Sequence, residues 1–146
     1  MSFNPGLVTG GYRRNIVSPF SSLEGDLRSY SNQLLLKAMG EINKIVRIDD
    51  IPVMLHIELM HPALEFNKKN KQIYELAREI AAGLDYDLTA GSSGGGSDGA
   101  TLSSVGIPVI DGIGIKGGGA HSSDEHINLT DFPFRASLVT ALCKEL

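Results

Sequence analysis

The sequence predicts a mixed fold, α+β in its first part and α/β in its second, arranged as two lobes over residues 1–64 and 65–146. Three observations carry that expectation. Over residues 1–60 the patterns run strand, strand, helix, strand, the order of a small antiparallel α+β lobe. Beyond residue 70, helical periodicity alternates with short apolar strands, as in a layer of crossover helices on a parallel or mixed sheet. Between the two, residues 64–70 form the expected boundary.

Taken in order, LVTGG and YRRNIVSPFSSLEGDLRSYS read as two extended pieces around a turn at Gly10 and Gly11. In the second piece Leu23, Gly25 and Leu27 alternate with Glu24, Asp26 and Arg28, so one face is expected to pack and the other to carry charge. Residues 33–46 follow as a helix, with Leu35, Leu36, Met39, Ile42, Ile45 and Val46 near helical spacing and Ser31 or Asn32 as cap. In IPVMLHIELMHPA, Val53, Leu55, Ile57 and Leu59 alternate with Met54, His56, Glu58 and Met60, the pattern of a half-buried strand ended by Pro62. Ile73, Leu76, Ala77, Ile80 and Ala81 then mark a second amphipathic helix over 70–83, stopped at Gly83. A short extended stretch at 86–89 leads into a glycine loop, GSSGGGSD. Ser97 or Asp98 caps a short helix near 98–104, IPVID reads as a buried strand, and a terminal helix from about Asp131 turns Phe134, Leu138, Val139 and Leu142 inward.

Composition narrows the function classes. The chain is 42% hydrophobic and 21% charged with no long apolar run, which describes an ordinary globular protein without a membrane span. MSFNPGLVTGG has neither the basic start nor the apolar core of a signal peptide, so a cytoplasmic location is expected. With 13 basic against 17 acidic residues, and only isolated pairs such as Arg13-Arg14 and Lys68-Lys69, a nucleic-acid surface is not indicated. One cysteine excludes an internal disulfide and any site built on several thiolates; Cys143 falls in an apolar helical pattern and reads as a core residue.

The stretch GSSGGGSDGATLSSVGIPVIDGIGIKGGGAHSSDE carries most of the chemistry. Its first loop has no lysine, so it is not a Walker loop. Gly112-Ile113-Gly114-Ile115-Lys116-Gly117 matches G-x-G-x-x-G, but Gly118 and Gly119 follow at once, and a dinucleotide fingerprint must open a helix. The consecutive glycines instead place His121 on irregular backbone beside a strand end, a common position for a ligand or catalytic group. From these residues alone His121 stays open between a solvent-facing loop histidine and a ligand.

GGGSDG, then GIPVIDGIG, then GGGAHSSDEH, in that order, resembles the C-terminal part of the M20 family of zinc metallopeptidases and amidohydrolases. Asn15-Ile16-Val17 resembles the Asn-apolar-apolar-Pro signature of the family's lid, or dimerisation, domain, although here Ser18 precedes Pro19. Asp26-Leu27-Arg28 resembles the D-x-R that follows it. The resemblance implies the second half of an antiparallel α+β lid lobe, followed by the C-terminal part of an α/β zinc-peptidase domain. It also implies a homodimer formed through the lid, and hydrolysis of a peptide or N-acyl amino-acid amide bond beside a free carboxylate.

In such an enzyme a two-metal zinc centre lowers the pKa of a bound water and polarises the carbonyl, while a carboxylate moves the proton. By the same resemblance His121 is a zinc ligand and Glu125 the acidic residue that follows it. Arg28 grips the substrate carboxylate, Asn15 helps hold the substrate, and the backbone of Gly94, Gly95 and Gly96 lines the pocket. The alternative for Arg28 is a surface ion pair with Asp26 or Glu24, and for Asn15 a turn. His61 stands where some glutamate carboxypeptidases carry a further substrate-binding arginine, a departure that weakens any claim of glutamate specificity. The family's H-x-D pair, Glu-Glu pair and further acidic ligand are absent from the chain, so it resembles a C-terminal portion that is inactive alone. A second reading, of a different class, is a dimerisation or interaction module with an open strand edge.

Overall fold

A computed structural model describes residues 1–146 as two compact units, Met1–Ala63 and Leu64–Leu146. The chain is α+β: helices accompany three two-stranded antiparallel sheets. No helix is long and apolar enough to cross a membrane.

In the first unit β1 (Ser2–Gly10) pairs antiparallel with β2 (Ser21–Arg28), from Ser2 opposite Arg28 to Gly10 opposite Ser21. The register slips between Pro5 and Leu7, where Pro5 offers no N–H and Gly6 takes up the bulge. Gly11, at φ +74°, does begin a turn, but the turn opens a longer link across residues 11–20. The packed face expected on β2 is not formed: Leu23 is exposed, and only Leu27 is half-buried. Gly25 has a packing reason to lack a side chain, since a Cβ there would stand 2.4 Å from the Phe3 ring across the ladder.

Helix α1 (Asn32–Ile42) starts at the expected cap, Ser31, whose hydroxyl accepts from the Leu34 N–H. It ends earlier than its apolar pattern. The last turn tightens through Lys44 N to Glu41 O and Ile45 N to Ile42 O. The chain then makes a small hairpin of β3 (Arg47–Ile48) and β4 (Ile51–Pro52) around Asp49 at φ +53°.

The strand expected over 53–59 is not present, and residues 53–66 carry no regular structure. A strand exists by virtue of its neighbour, and no strand of the unit pairs with this segment. The alternation persists only faintly, with Val53 and Ile57 half-buried and Leu55 and Leu59 exposed. The Asn32 carboxamide ties down the end of this segment: Nδ2 donates to Ala63 O at 3.0 Å and Oδ1 accepts from Ala63 N at 2.7 Å. In the whole unit Leu35, at 6% exposure, is the one buried hydrophobic residue.

The second unit has a true core. Helix α2 (Lys68–Ala82) is capped by Asn67, whose Oδ1 accepts from the N–H groups of Lys69 and Asn70, both at 3.0 Å. Helix α4 (Phe132–Glu145) packs against it. Ala77, Ala81, Leu88, Leu138 and Leu142 are buried together, with Tyr74, Ile80, Tyr86, Ile110, Ile113 and Phe134 around them. Small alanines on α2 let Leu138 reach zero exposure. Val139, expected inward, is 37% exposed, and Cys143, expected in the core, is exposed on the outer side of α4.

The parallel or mixed sheet expected here is not formed. Residues 107–111 and 86–89 run without ladder partners, and the only pairing is the short hairpin of β5 (Gly117–Gly118) and β6 (His126–Ile127). The end of α2 also differs from expectation. Gly83 keeps right-handed backbone at φ −65°, and Asp85 takes the left-handed position at φ +56°, closed by Tyr86 N to Ala81 O at 3.0 Å. Replacing Asp85 by glycine is therefore expected to stabilise the unit by about 1 kcal/mol, measured as a raised denaturation midpoint. An unchanged or lowered midpoint would show that the Asp85 side chain contributes more than its backbone costs.

Candidate functional site

The glycine loop ends at Ser97, whose hydroxyl accepts from Gly99 N at 3.1 Å and starts helix α3 (Asp98–Ser104). Gly94, Gly95 and Gly96 are exposed, and Gly95 N donates to Ser93 Oγ at 3.1 Å. Neither conformation nor crowding demands glycine at 94: its φ is not positive, and an added Cβ would meet nothing within 4 Å. Its neighbours in the fold leave that surface open to approach.

The hairpin that bears His121 is the opposite case. A Cβ on Gly117 would stand 2.1 Å from His126 O, and one on Gly119, at φ +68°, 2.6 Å from Asp124 O. Only glycine fits these strands so closely together. The turn is closed by Ser122, which donates to Gly119 O through N at 3.0 Å and through Oγ at 2.7 Å. His121 sits inside this turn at φ +66°, a left-handed conformation that costs a non-glycine residue energy, and its side chain is exposed. Glu125, also exposed, donates its N–H to Ser122 O at 3.3 Å. His126 Nδ1 lies 2.9 Å from Asp124 O, and since a carbonyl only accepts, it is the ring nitrogen that donates.

The hairpin is anchored to the core through an aromatic and charged group centred on Tyr86. Tyr86 stacks on Phe134 at 3.8 Å between ring centroids. The Lys116 ammonium lies 5.0 Å from the centre of the Tyr86 ring and donates to its hydroxyl, while the Arg135 guanidinium lies 5.7 Å from the same ring. Arg135 Nε donates to Asp131 Oδ2 at 2.9 Å, and Nη1 reaches Ile113 O at 3.5 Å. Both members of this ion pair are nearly covered, at 8% and 10% side-chain exposure. Burial pushes the Asp131 carboxyl up, but the Arg135 hydrogen bond and charge, the Lys116 charge and the Lys116 backbone N–H outweigh it and hold the carboxyl below its ordinary value. The i,i+4 spacing of Asp131 and Arg135 was visible in the sequence. That it would close over two rings was not.

The other candidate residues belong to the first unit. Arg28 ends β2 and pairs with Asp26, Nη2 to Oδ2 at 2.6 Å and Nε to Oδ2 at 2.7 Å, with both side chains about half exposed at 57% and 52%. Asn15 is exposed in the 11–20 link. No group of three or more His, Cys, Asp or Glu side chains is placed to hold a metal ion. Against a catalytic zinc, which takes about three protein ligands, the donors that this chain brings together do not suffice.

Residues 4–145 match the peptidase family M20/M25/M40. The chain belongs to this family. Carboxypeptidase G2 from Pseudomonas sp. (strain RS-16) is 25% identical over 153 residues, an alignment covering 100% of this chain and 36% of that protein. The chain thus spans about a third of the length of this relative. The ordered glycine and histidine motifs of residues 91–125 lie inside the matched region, and so do Asn15 and Arg28.

Proposed function

We propose that this chain is the C-terminal portion of a zinc-dependent M20 peptidase or amidohydrolase that hydrolyses peptide or N-acyl amino-acid amide bonds next to a free carboxylate. His121 supplies one zinc ligand, the remaining ligands come from outside this chain, and the chain alone is inactive. Arg28 grips the substrate carboxylate, Asn15 helps hold the substrate, and Gly94, Gly95 and Gly96 form the pocket wall.

One observation carries the reading. A histidine is kept in left-handed backbone, on a hairpin whose Gly117 and Gly119 leave no room for a side chain, with its imidazole left exposed. Strain of this kind persists where the surrounding structure over-determines it, and it gathers at sites with a task. The Arg28 pairing with Asp26 suits the role assigned to it as well, since a neighbouring carboxylate holds a guanidinium in one orientation until a stronger partner arrives.

The test is a zinc titration of the labelled chain, followed through the ring resonances of His56, His61, His121 and His126. His121 is expected to respond first and weakly. His121→Gly is expected to abolish that response while raising unit stability by about 1 kcal/mol, because glycine takes the left-handed position freely. A zinc response centred on another histidine and unchanged by the substitution would sink the assignment.

A second reading, a dimerisation or interaction module, is favoured by one feature. The first unit leaves Phe3, Val8, Leu23, Leu36 and Met54 exposed, and a two-stranded ribbon is marginal alone. Within the M20 reading the same surface belongs to a half-lid that forms the homodimer. Sedimentation separates them: a stable dimer without zinc-responsive His121 supports the module alone.

A further inference from the structure

Asn70, in the first turn of α2, is 4% exposed, and its carboxamide is engaged in three directions. Nδ2 donates to Glu65 O at 2.9 Å and to Ser103 Oγ at 2.8 Å, and Oδ1 accepts from Val109 N at 2.8 Å. Asn67, one turn earlier, donates to the same Ser103 hydroxyl at 3.2 Å. The two asparagines thus hold helix α3 by a nearly buried hydroxyl, and Asn70 also holds the segment that follows α3. Nothing in the stability of α2 calls for this, since its cap is already made by Asn67.

Helix α3 is only 7 residues long, too short to persist without such contacts. Its first turn lies hard against the segment that Asn70 grips: a Cβ on Gly99 would stand 2.8 Å from Val109 Cγ1. The glycine loop runs directly into that turn through Ser97. Where the loop stands therefore depends on how α3 and Val109 are registered, and one carboxamide touches both.

We infer that Asn70 is the positioning residue of the glycine loop: it fixes α3 against the Val109 segment and thereby sets where Gly94, Gly95 and Gly96 stand. Its value to the reaction rests on the reading above, in which this loop forms the pocket wall. An amide is suited to the task because it presents two donors and an acceptor in one plane. Aspartate keeps the acceptor for Val109 and loses the donors, leucine loses both, and alanine at Ser103 removes the shared hydroxyl.

The experiment uses the full ¹⁵N-labelled chain, without zinc or substrate, and reads amide shifts and hydrogen exchange in Asn70→Leu, Asn70→Asp and Ser103→Ala. Asn70→Leu is expected to speed exchange at Val109 about 10-fold or more, as loss of the partner of a buried N–H implies. It is also expected to move the resonances of Gly94, Gly95 and Gly96, with Ala77, Ala81 and Leu142 unchanged. Asn70→Asp is expected to restore protection at Val109 with the loop still shifted, and Ser103→Ala to shift the loop with Val109 protected. Loop resonances at their native positions in both Asn70→Asp and Ser103→Ala would overturn the inference, even if Asn70→Leu fails to fold. Changes spread evenly over core and loop would overturn it too, by making Asn70 a general structural residue. A loop that shifts as expected while His121 ignores zinc would leave Asn70 in its role and remove the hydrolase reading instead.

Discussion

Leu138→Ala is expected to cost about 2–5 kcal/mol of the stability of the second unit, the range for emptying a fully buried leucine site. Leu138 has zero exposure and sits between α2 and α4, where Ala77 and Ala81 are too small to close over the space it would leave. Domains of this kind hold only about 5–15 kcal/mol in total, so the loss is a large fraction and partial unfolding at physiological temperature is expected. The chain has no tryptophan, but the Tyr86–Phe134 stack gives a near-ultraviolet dichroism signal inside this core. Denaturation followed there reads the loss directly. Leu36→Ala, at a leucine 59% exposed on α1, is the control and should stay within about 0.5 kcal/mol. Equal effects at the two positions would refute the placement of the core.

Arg135→Leu is expected to produce the next largest loss, and one that depends on pH. The substitution keeps apolar contact with Tyr86 and Phe134 but leaves the Asp131 carboxylate nearly covered without its main partner. In the native chain Asp131 is held below its ordinary value of 3.8, so folding favours its ionised form. That contribution is fully present above the unfolded value and is lost as pH falls through the lower, folded one. Without Arg135, burial raises the carboxyl and Lys116 alone opposes it. The variant should therefore be weakened most at neutral pH, and its further loss in acid should be smaller than that of the native chain. Parallel acid profiles for the two proteins would show that Asp131 titrates independently of Arg135.

What the sequence disclosed and what it withheld follow from range. Helices α1, α2 and α4, the caps of α1 and α3 to within one residue (Ser31 or Asn32, Ser97 or Asp98), and the glycine requirement before His121 were legible because spacing and capping act over a few residues. The left-handed stop at Asp85 was missed because Gly83 offered the more usual residue two places earlier. The strand expected at 53–59 did not form, because an alternating pattern cannot supply the neighbour on which a ladder depends. The exposure of Cys143 turned on which side of α4 meets α2, and periodicity alone did not resolve it. Asn70 and the Tyr86–Lys116–Arg135 group join residues far apart in the chain, so no local window contained them. The family itself was legible from motif order, because three glycine-bearing pieces at fixed spacing are rarer together than any one alone.

In the function proposed above, His121 is a single corner of a zinc site completed by residues outside these 146. Zinc content by elemental analysis of the purified chain and of His121→Ala, with hydrolysis of an N-acyl-glutamate assayed alongside, tests it most directly. The expected result is zinc below stoichiometry in both proteins after dialysis, and no turnover. Stoichiometric zinc in the native chain, lost in His121→Ala and accompanied by turnover, would contradict it, because the active site would then be complete within this chain.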